Sequence, residues 1–160
     1  MRLVITAVGK LKDGPERELF ARYAGRISAA GKGVALGPLD LRELPEGRAQ
    51  SRDARLADEA ERVLARSSSS TVRVLLDERG KPMTSVAFAN FVRTLRDHGE
   101  AEMAFLIGGA DGHGESARRA AQHALSLGAL TLPHGLARVV LAEQLYRAIT
   151  IISGHPYHRE

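Results

Sequence analysis

Residues 71–114 read TVRVLLDERGKPMTSVAFANFVRTLRDHGEAEMAFLIGGADGHG, and this stretch decides the fold. Thr71–Leu76 is apolar and β-branched, the pattern of a buried strand. Asp77–Gly80 carries turn residues, and Thr84 or Ser85 is placed to cap a helix running to about His98. Glu102–Ile107 is a second apolar run, and the glycine-rich Gly108–Gly114 turns the chain after it. A strand, a helix and a strand in succession form a crossover that sets the two strands parallel.

The same alternation extends in both directions. Arg2–Val8 reads as a strand, and Pro15 opens a helix at the position where its missing N–H costs nothing. Leu19, Phe20, Tyr23 and Ile27 recur on that helix at helical spacing. LDLREL, within Val34–Leu44, is a strand that Pro45, Glu46 and Gly47 end, and Ser51–Arg66 is an amphipathic helix. Further on, Ser116–His123 reads as a helix, Ala129–Leu132 as a short strand, and the segment to about Ile152 as the last helix. The pattern predicts a single α/β domain over 1–160, with a mainly parallel sheet flanked by helices.

Composition narrows the function classes. With 44% hydrophobic and 26% charged residues the chain has the make-up of a soluble globular protein. No cysteine is present, which excludes disulfides, thiolate metal sites and cysteine nucleophiles. MRLVITAVGK lacks the length and cleavage pattern of a signal peptide, and no apolar run approaches a membrane span. The expected location is the cytoplasm, away from membranes. The formal charge of +4 permits a polyanionic partner without requiring one.

Ligands of open parallel sheets bind beyond the carboxyl ends of the strands. Three such ends stand out: Leu75–Asp77, Leu106–Gly112 and Leu127–Pro133. Paired glycines at 108 and 109 allow close backbone approach, although a tight turn uses the same residues. Leu127, Gly128, Ala129, Leu130, Thr131 and Leu132 offer amides, apolar side chains and one hydroxyl, a wall suited to a flat neutral base or a thioether. On composition alone that run reads as a buried edge strand. Neither GxGxxG nor GxxxxGK[ST] occurs, so a dinucleotide fingerprint and a P-loop are both unsupported.

On the last helix Arg138 shares a face with Leu141, Leu145, Ala148, Ile149 and Ile152. It either snorkels past the helix end or points into a cavity or subunit interface. Glu143 and Arg147 have the spacing of an (i, i+4) ion pair. The chain closes on Gly154, His155, Pro156, Tyr157, His158, Arg159 and Glu160, a terminus rich in proton-transfer and anion-binding groups. His155 and His158 lack the third ligand that a metal site needs, so no metal is expected. His98, His113 and His123 sit in polar surroundings and read as surface residues.

The runs LLD, FLIGGADG and LTLPHGLARVVLAEQLYRA, with the terminal HPYHRE, carry a resemblance. The chain resembles the bacterial 23S rRNA pseudouridine N3-methyltransferases, the smallest members of the SPOUT class. The resemblance spans the whole chain and is most specific from Thr71 onward. It implies a C-terminal deep trefoil knot formed by roughly 71–155, an exception to the unknotted rule. It implies S-adenosyl-L-methionine as methyl donor, held by Leu76, Gly108 and the run Leu127, Gly128, Ala129, Leu130, Thr131, Leu132. A homodimer packed through Leu141, Leu145 and Ile149 of the last helix is expected, acting on 23S rRNA in the large subunit or assembled ribosome. Arg138 is expected to hold negative charge on the uracil, and His155, Tyr157 or His158 to deprotonate or orient N3, with Glu143 as a further base candidate. Gly128 stands where relatives often carry serine or threonine, and Gly135 where proline is common.

Overall fold

The computed structural model describes residues 1–68 and 70–158. Five strands, β1 (Arg2–Val8), β2 (Leu39–Leu44), β3 (Val72–Pro82), β4 (Glu102–Ile107) and β5 (His123–Ser126), form one sheet in the order β2-β1-β4-β3-β5. Every pairing between them is parallel, as the alternation of elements predicts. Helices α1 (Pro15–Ala30), α3 (Ser85–Asp97) and α5 (His134–Ser153) cover one face of the sheet, with α5 between the other two. Helices α2 (Arg52–Leu64) and α4 (Glu115–Ala120) cover the opposite face.

Burial of both faces explains the strands' near-continuous apolar composition. Leu3, Ile5 and Ala7 of β1 join the core beneath α5, while Val4 and Val8 point to α2. Local chemistry sets the helix starts. Pro15 occupies the first position of α1, and the hydroxyls of Ser51 and Thr84 accept hydrogen bonds from Ala54 N and Ala87 N at the starts of α2 and α3.

Three expected elements differ from the structure. Asp77–Gly80 does not reverse the chain; β3 runs through it to Pro82, with a register irregularity between Leu76 and Lys81. The helix expected to reach His123 stops at Ala120, because Gln122 N donates to Arg73 O and His123 pairs with Val74 at the sheet edge. Ala129–Leu132 is irregular, not a strand. Ser126 Oγ accepts from Gly128 N and donates to Gly128 O, a local turn that ends the pairing. Gly128 then takes a φ of +128°, which explains why glycine stands there in place of a branched side chain.

The expected dimer surface on α5 also needs correction. Leu141, Leu145 and Ile149 are at most 1% exposed within the single chain. They belong to its own core, packed on the sheet between α1 and α3. No described helix is long and apolar enough to cross a membrane.

Candidate active site

A cavity of about 180 Å³ opens at the carboxyl ends of β4 and β5, beside residues 76–78 in the middle of β3. Leu76, Asp77 and Glu78 line one side, Ile107 the floor, and residues 125–132 form a strap across it, with Ala137 of α5 behind. The sequence reading placed Leu76, Leu127, Gly128, Ala129, Leu130, Thr131 and Leu132 in one site, and the fold brings all seven to this cavity. Leu130 is 83% exposed in the single chain, an unusual position for a leucine that has nothing to cover it.

Gly108 stands one residue behind the cavity lining. A Cβ there would lie 2.2 Å from Gly112 O, so the turn's own backbone requires the glycine. The turn closes through Gly112 N donating to Gly109 O. Replacing Gly108 would disrupt this turn and would not test ligand approach alone.

A histidine that composition placed at the surface is part of the site. The His113 ring is largely buried, and its Nε2 lies 2.8 Å from Leu76 O, tying the glycine turn to the middle of β3. Burial pushes its pKa below the usual histidine value, against the opposing pull of the Leu76 carbonyl and Asp77. A neutral ring donating Nε2–H to that carbonyl fits both facts. Next to it, burial alone would raise the Asp77 pKa, but the N–H of Arg79 and the guanidinium of Arg118, 2.7 Å away, bring it below the ordinary value. No local signal marks a partner for His113, because its contact is to a backbone atom 37 residues away in the chain.

On the other side of the first turn of α5 lies Arg138, whose side chain is 2% exposed. Its Nη2 donates to Val8 O at 3.0 Å and Gly9 O at 2.8 Å, and Nη1 donates to Glu43 Oε1 at 3.2 Å. The guanidinium therefore joins α5 to the ends of β1 and β2. Burial lowers its pKa and Glu43 opposes that shift. Its Nε is enclosed without a protein partner. Of the two options the sequence left, snorkelling is excluded: the group points inward.

The terminal candidates stand at the opposite end of the helix. The 20 residues of α5 span about 30 Å; His155 and His158 follow its far end, while the Tyr157 hydroxyl reaches back to Glu143, within two turns of the Ala137 that lines the cavity. Gly154 caps α5 in a left-handed conformation, and His155 N donates to Thr150 O. Tyr157 folds back on the helix, its hydroxyl donating to Glu143 Oε1 at 3.2 Å and its ring meeting Tyr146 edge-on at 4.7 Å. Glu143 also holds Arg147 at 2.6 Å, the ion pair expected from spacing. Burial, then Tyr23, then Glu143 push the Tyr157 phenol above its usual range, so it serves as a donor here. His155 is exposed, and its Nδ1 accepts from Tyr157 N, while His158 Nδ1 is enclosed without a partner. Arg159 and Glu160 lie outside the described residues.

A three-layer parallel fold with a strapped cavity at its strand ends is the setting of a nucleotide-type ligand, and comparison with known families gives it a class. The family model described as "Predicted SPOUT methyltransferase" matches residues 1–158, and the chain belongs to that family. Within it the chain is similar to the ribosomal RNA large subunit methyltransferase H of Nitrobacter winogradskyi, 48% identical over 159 residues, 99% of each chain. It is equally similar to proteins of the same name from Brucella anthropi, at 47%, and Mesorhizobium japonicum, at 49%, each over 99% of both chains.

Two outcomes follow from the buried groups. Arg138→Ala removes the buried donor to Val8 O and Gly9 O and leaves Glu43 with Arg17 and the Leu11 N–H, so it should lower stability by about 2–4 kcal/mol in urea unfolding; a loss below about 1 kcal/mol would exclude the clamp. The folded-state pKa of His113 is depressed, so its contribution to stability is complete above the unfolded value of about 6.5 and is lost as pH falls through it. Unfolding measured at decreasing pH should therefore show a shallower loss of stability in His113→Gln than in the wild type, and equal slopes would remove His113 from the linkage.

Proposed function

We propose that the chain is an S-adenosyl-L-methionine-dependent methyltransferase that modifies N3 of a pseudouridine in 23S rRNA, in the large subunit or assembled ribosome. The observation that carries this reading is the gathering of Leu76 and the whole run 127–132 around one cavity, in a chain almost half identical to the large-subunit methyltransferases. The cavity is chemically suited to the cofactor: leucine and alanine side chains for a flat base, and strap amides beside Thr131 for polar edges. Its volume is below the roughly 300–1,000 Å³ of most small-molecule sites, so the strap must move outward to seat the whole group. When bound, the cofactor supplies an electrophilic methyl group.

The protein's own groups have separate tasks. The strap keeps water from the reacting centre, where exposed charge would otherwise be stabilised by solvent. Arg138 is a positioning residue that fixes the first turn of α5 against the strand ends. The terminal groups take the N3 proton or orient the base, with His155 and His158 as proton acceptors and Tyr157 as a donor. Since α5 separates the two histidines from their own cavity, the terminal groups act at the cavity of a partner protomer. A homodimer with antiparallel α5 helices brings the terminus of one chain to the first turn of the other.

The surface offered for such a dimer is the outward side of α5. Leu136, 42% exposed, lies one turn before Val140, which lines a groove of about 340 Å³ with Met83, Ser85 and Gln144; exposed Val86 follows Ser85. The reading carries the deep trefoil knot over roughly 71–155 as well. In its support, β4 inserts between β1 and β3, and the chain leaves edge strand β5 to return to the centre of one sheet face as α5.

Deleting His155–Glu160 should abolish methylation of ribosomes, read by mass spectrometry of the 23S rRNA, while calorimetry still detects cofactor binding and sedimentation still detects the dimer. Near-normal methylation would place the base at Glu143 or in solvent. In a separate variant, Leu136→Glu should shift the protein toward monomer at micromolar concentration and reduce activity with it. A dimer of unchanged stability would move the interface off this face.

A further inference from the structure

Most arginines around the sheet are paired, at its carboxyl end as at its amino end: Arg55 holds Asp111 at 2.6 Å and Arg118 holds Asp77 at 2.7 Å. At the amino end Arg2 pairs with Asp40 at 2.5 Å, Arg42 with Glu102 at 3.1 Å and Arg96 with Asp97 at 2.7 Å. At the carboxyl end of β1, Lys10 and Lys12 are exposed and have no carboxylate within 4 Å among the described residues. The same holds for Arg48, in the loop after β2. Lys10 and Lys12 line a hollow of about 270 Å³ together with Glu46, His134, Gly135 and Arg138, and Arg48 stands outside that lining. Arg48 follows Glu46 by two residues.

The hollow shares no lining residue with the cofactor cavity; the first turn of α5 stands between them. That turn has no acidic residue and no side-chain cap, so its free amides are left for another acceptor. Carboxylates are present as well. Asp13 is paired with Arg17 at 3.2 Å, and Glu43 with Arg138, but Glu16 and Glu46 face the hollow unpaired. A bare anion would meet those two acids inside. A nucleotide would not, because its sugar and base donate hydrogen bonds while its phosphates remain at the lysine rim.

We propose that Lys10, Lys12 and Arg48 form a phosphate-gripping rim, and that the hollow inside it receives a nucleotide of the RNA substrate beside the first turn of α5. This rests on the reading of the chain as an rRNA methyltransferase. The rim supplies affinity for the RNA backbone and takes no part in holding the cofactor.

The test compares the wild type with Lys10→Ala, Lys12→Ala, Arg48→Ala and the triple variant, with Lys32→Ala at the amino end as control. Ribosomal particles are the substrate, at several salt concentrations, and cofactor binding is measured in parallel by calorimetry. The triple variant should raise the KM for ribosomes about tenfold or more, and each substitution should flatten the dependence of log KM on log salt by about one. The cofactor Kd, the kcat at saturating ribosomes and the Lys32→Ala variant should stay within about twofold of wild type. An unchanged KM and salt slope would overturn the rim. A parallel rise in the cofactor Kd would also overturn it, by assigning these cations to the cofactor's carboxylate. Should the wild type methylate no ribosomal RNA, the functional reading fails by itself. Co-sedimentation of the same variants with ribosomal particles then decides the rim, which stands only if the wild type binds and the triple variant does not.

Discussion

The guanidinium of Arg138 fixes the start of α5 to the sheet, and the surfaces on both sides of that helix depend on it. It is enclosed where α5 begins, and its three hydrogen bonds go to the carboxyl ends of β1 and β2. An ion so deeply buried is tolerated only when its donors are matched, and Glu43 with two carbonyls provides most of that match. The residues on both sides of this helix start inherit their positions from it. The strap over the cavity ends at Pro133, and the hollow begins at His134.

This arrangement separates two recognition problems by one helical turn. Toward β3 and β5 the surface is apolar and partly closed. Toward β1 and β2 it is polar, open and rimmed by free cations. Both meet at the amino end of a helix whose partial positive charge suits electron-rich ligands. The length of α5 then does a third thing: it sets the histidines that follow it at the far end of the helix from the cavity, and on the function proposed above a second protomer brings them to it.

Much of the fold was legible because it depends on local signals. Pro15, Ser51 and Thr84 mark helix starts whose caps need only neighbouring residues, and apolar runs buried on both faces could form little but parallel strands. The run 127–132 reads as a strand but is irregular, since the contact between Ser126 and Gly128 that ends β5 has no periodic signature; that it lines one cavity with Leu76 follows from the strand order. Periodicity showed that Arg138 sits on an apolar face, but its partners are 95 to 130 residues away and leave no trace nearby. His113 was misread for the same reason. The apolar stripe of Leu141, Leu145 and Ile149 reads as a dimer surface, yet the sheet with α1 and α3 of the same chain covers it, a tertiary fact that periodicity does not carry.

The placement of α5 also orders the protein's birth. Strand β1 is made first, yet Leu3, Ile5 and Ala7 are covered by a helix that ends at Ser153 of a 160-residue chain. Contacts of such wide separation form slowly, since the loop must close before any burial rewards it. During synthesis the first strands therefore wait with one apolar face open, and no earlier segment can substitute for the missing helix. Folding of the sheet is completed only once α5 has been made, and a chain interrupted before His134 would lack the cover of its core.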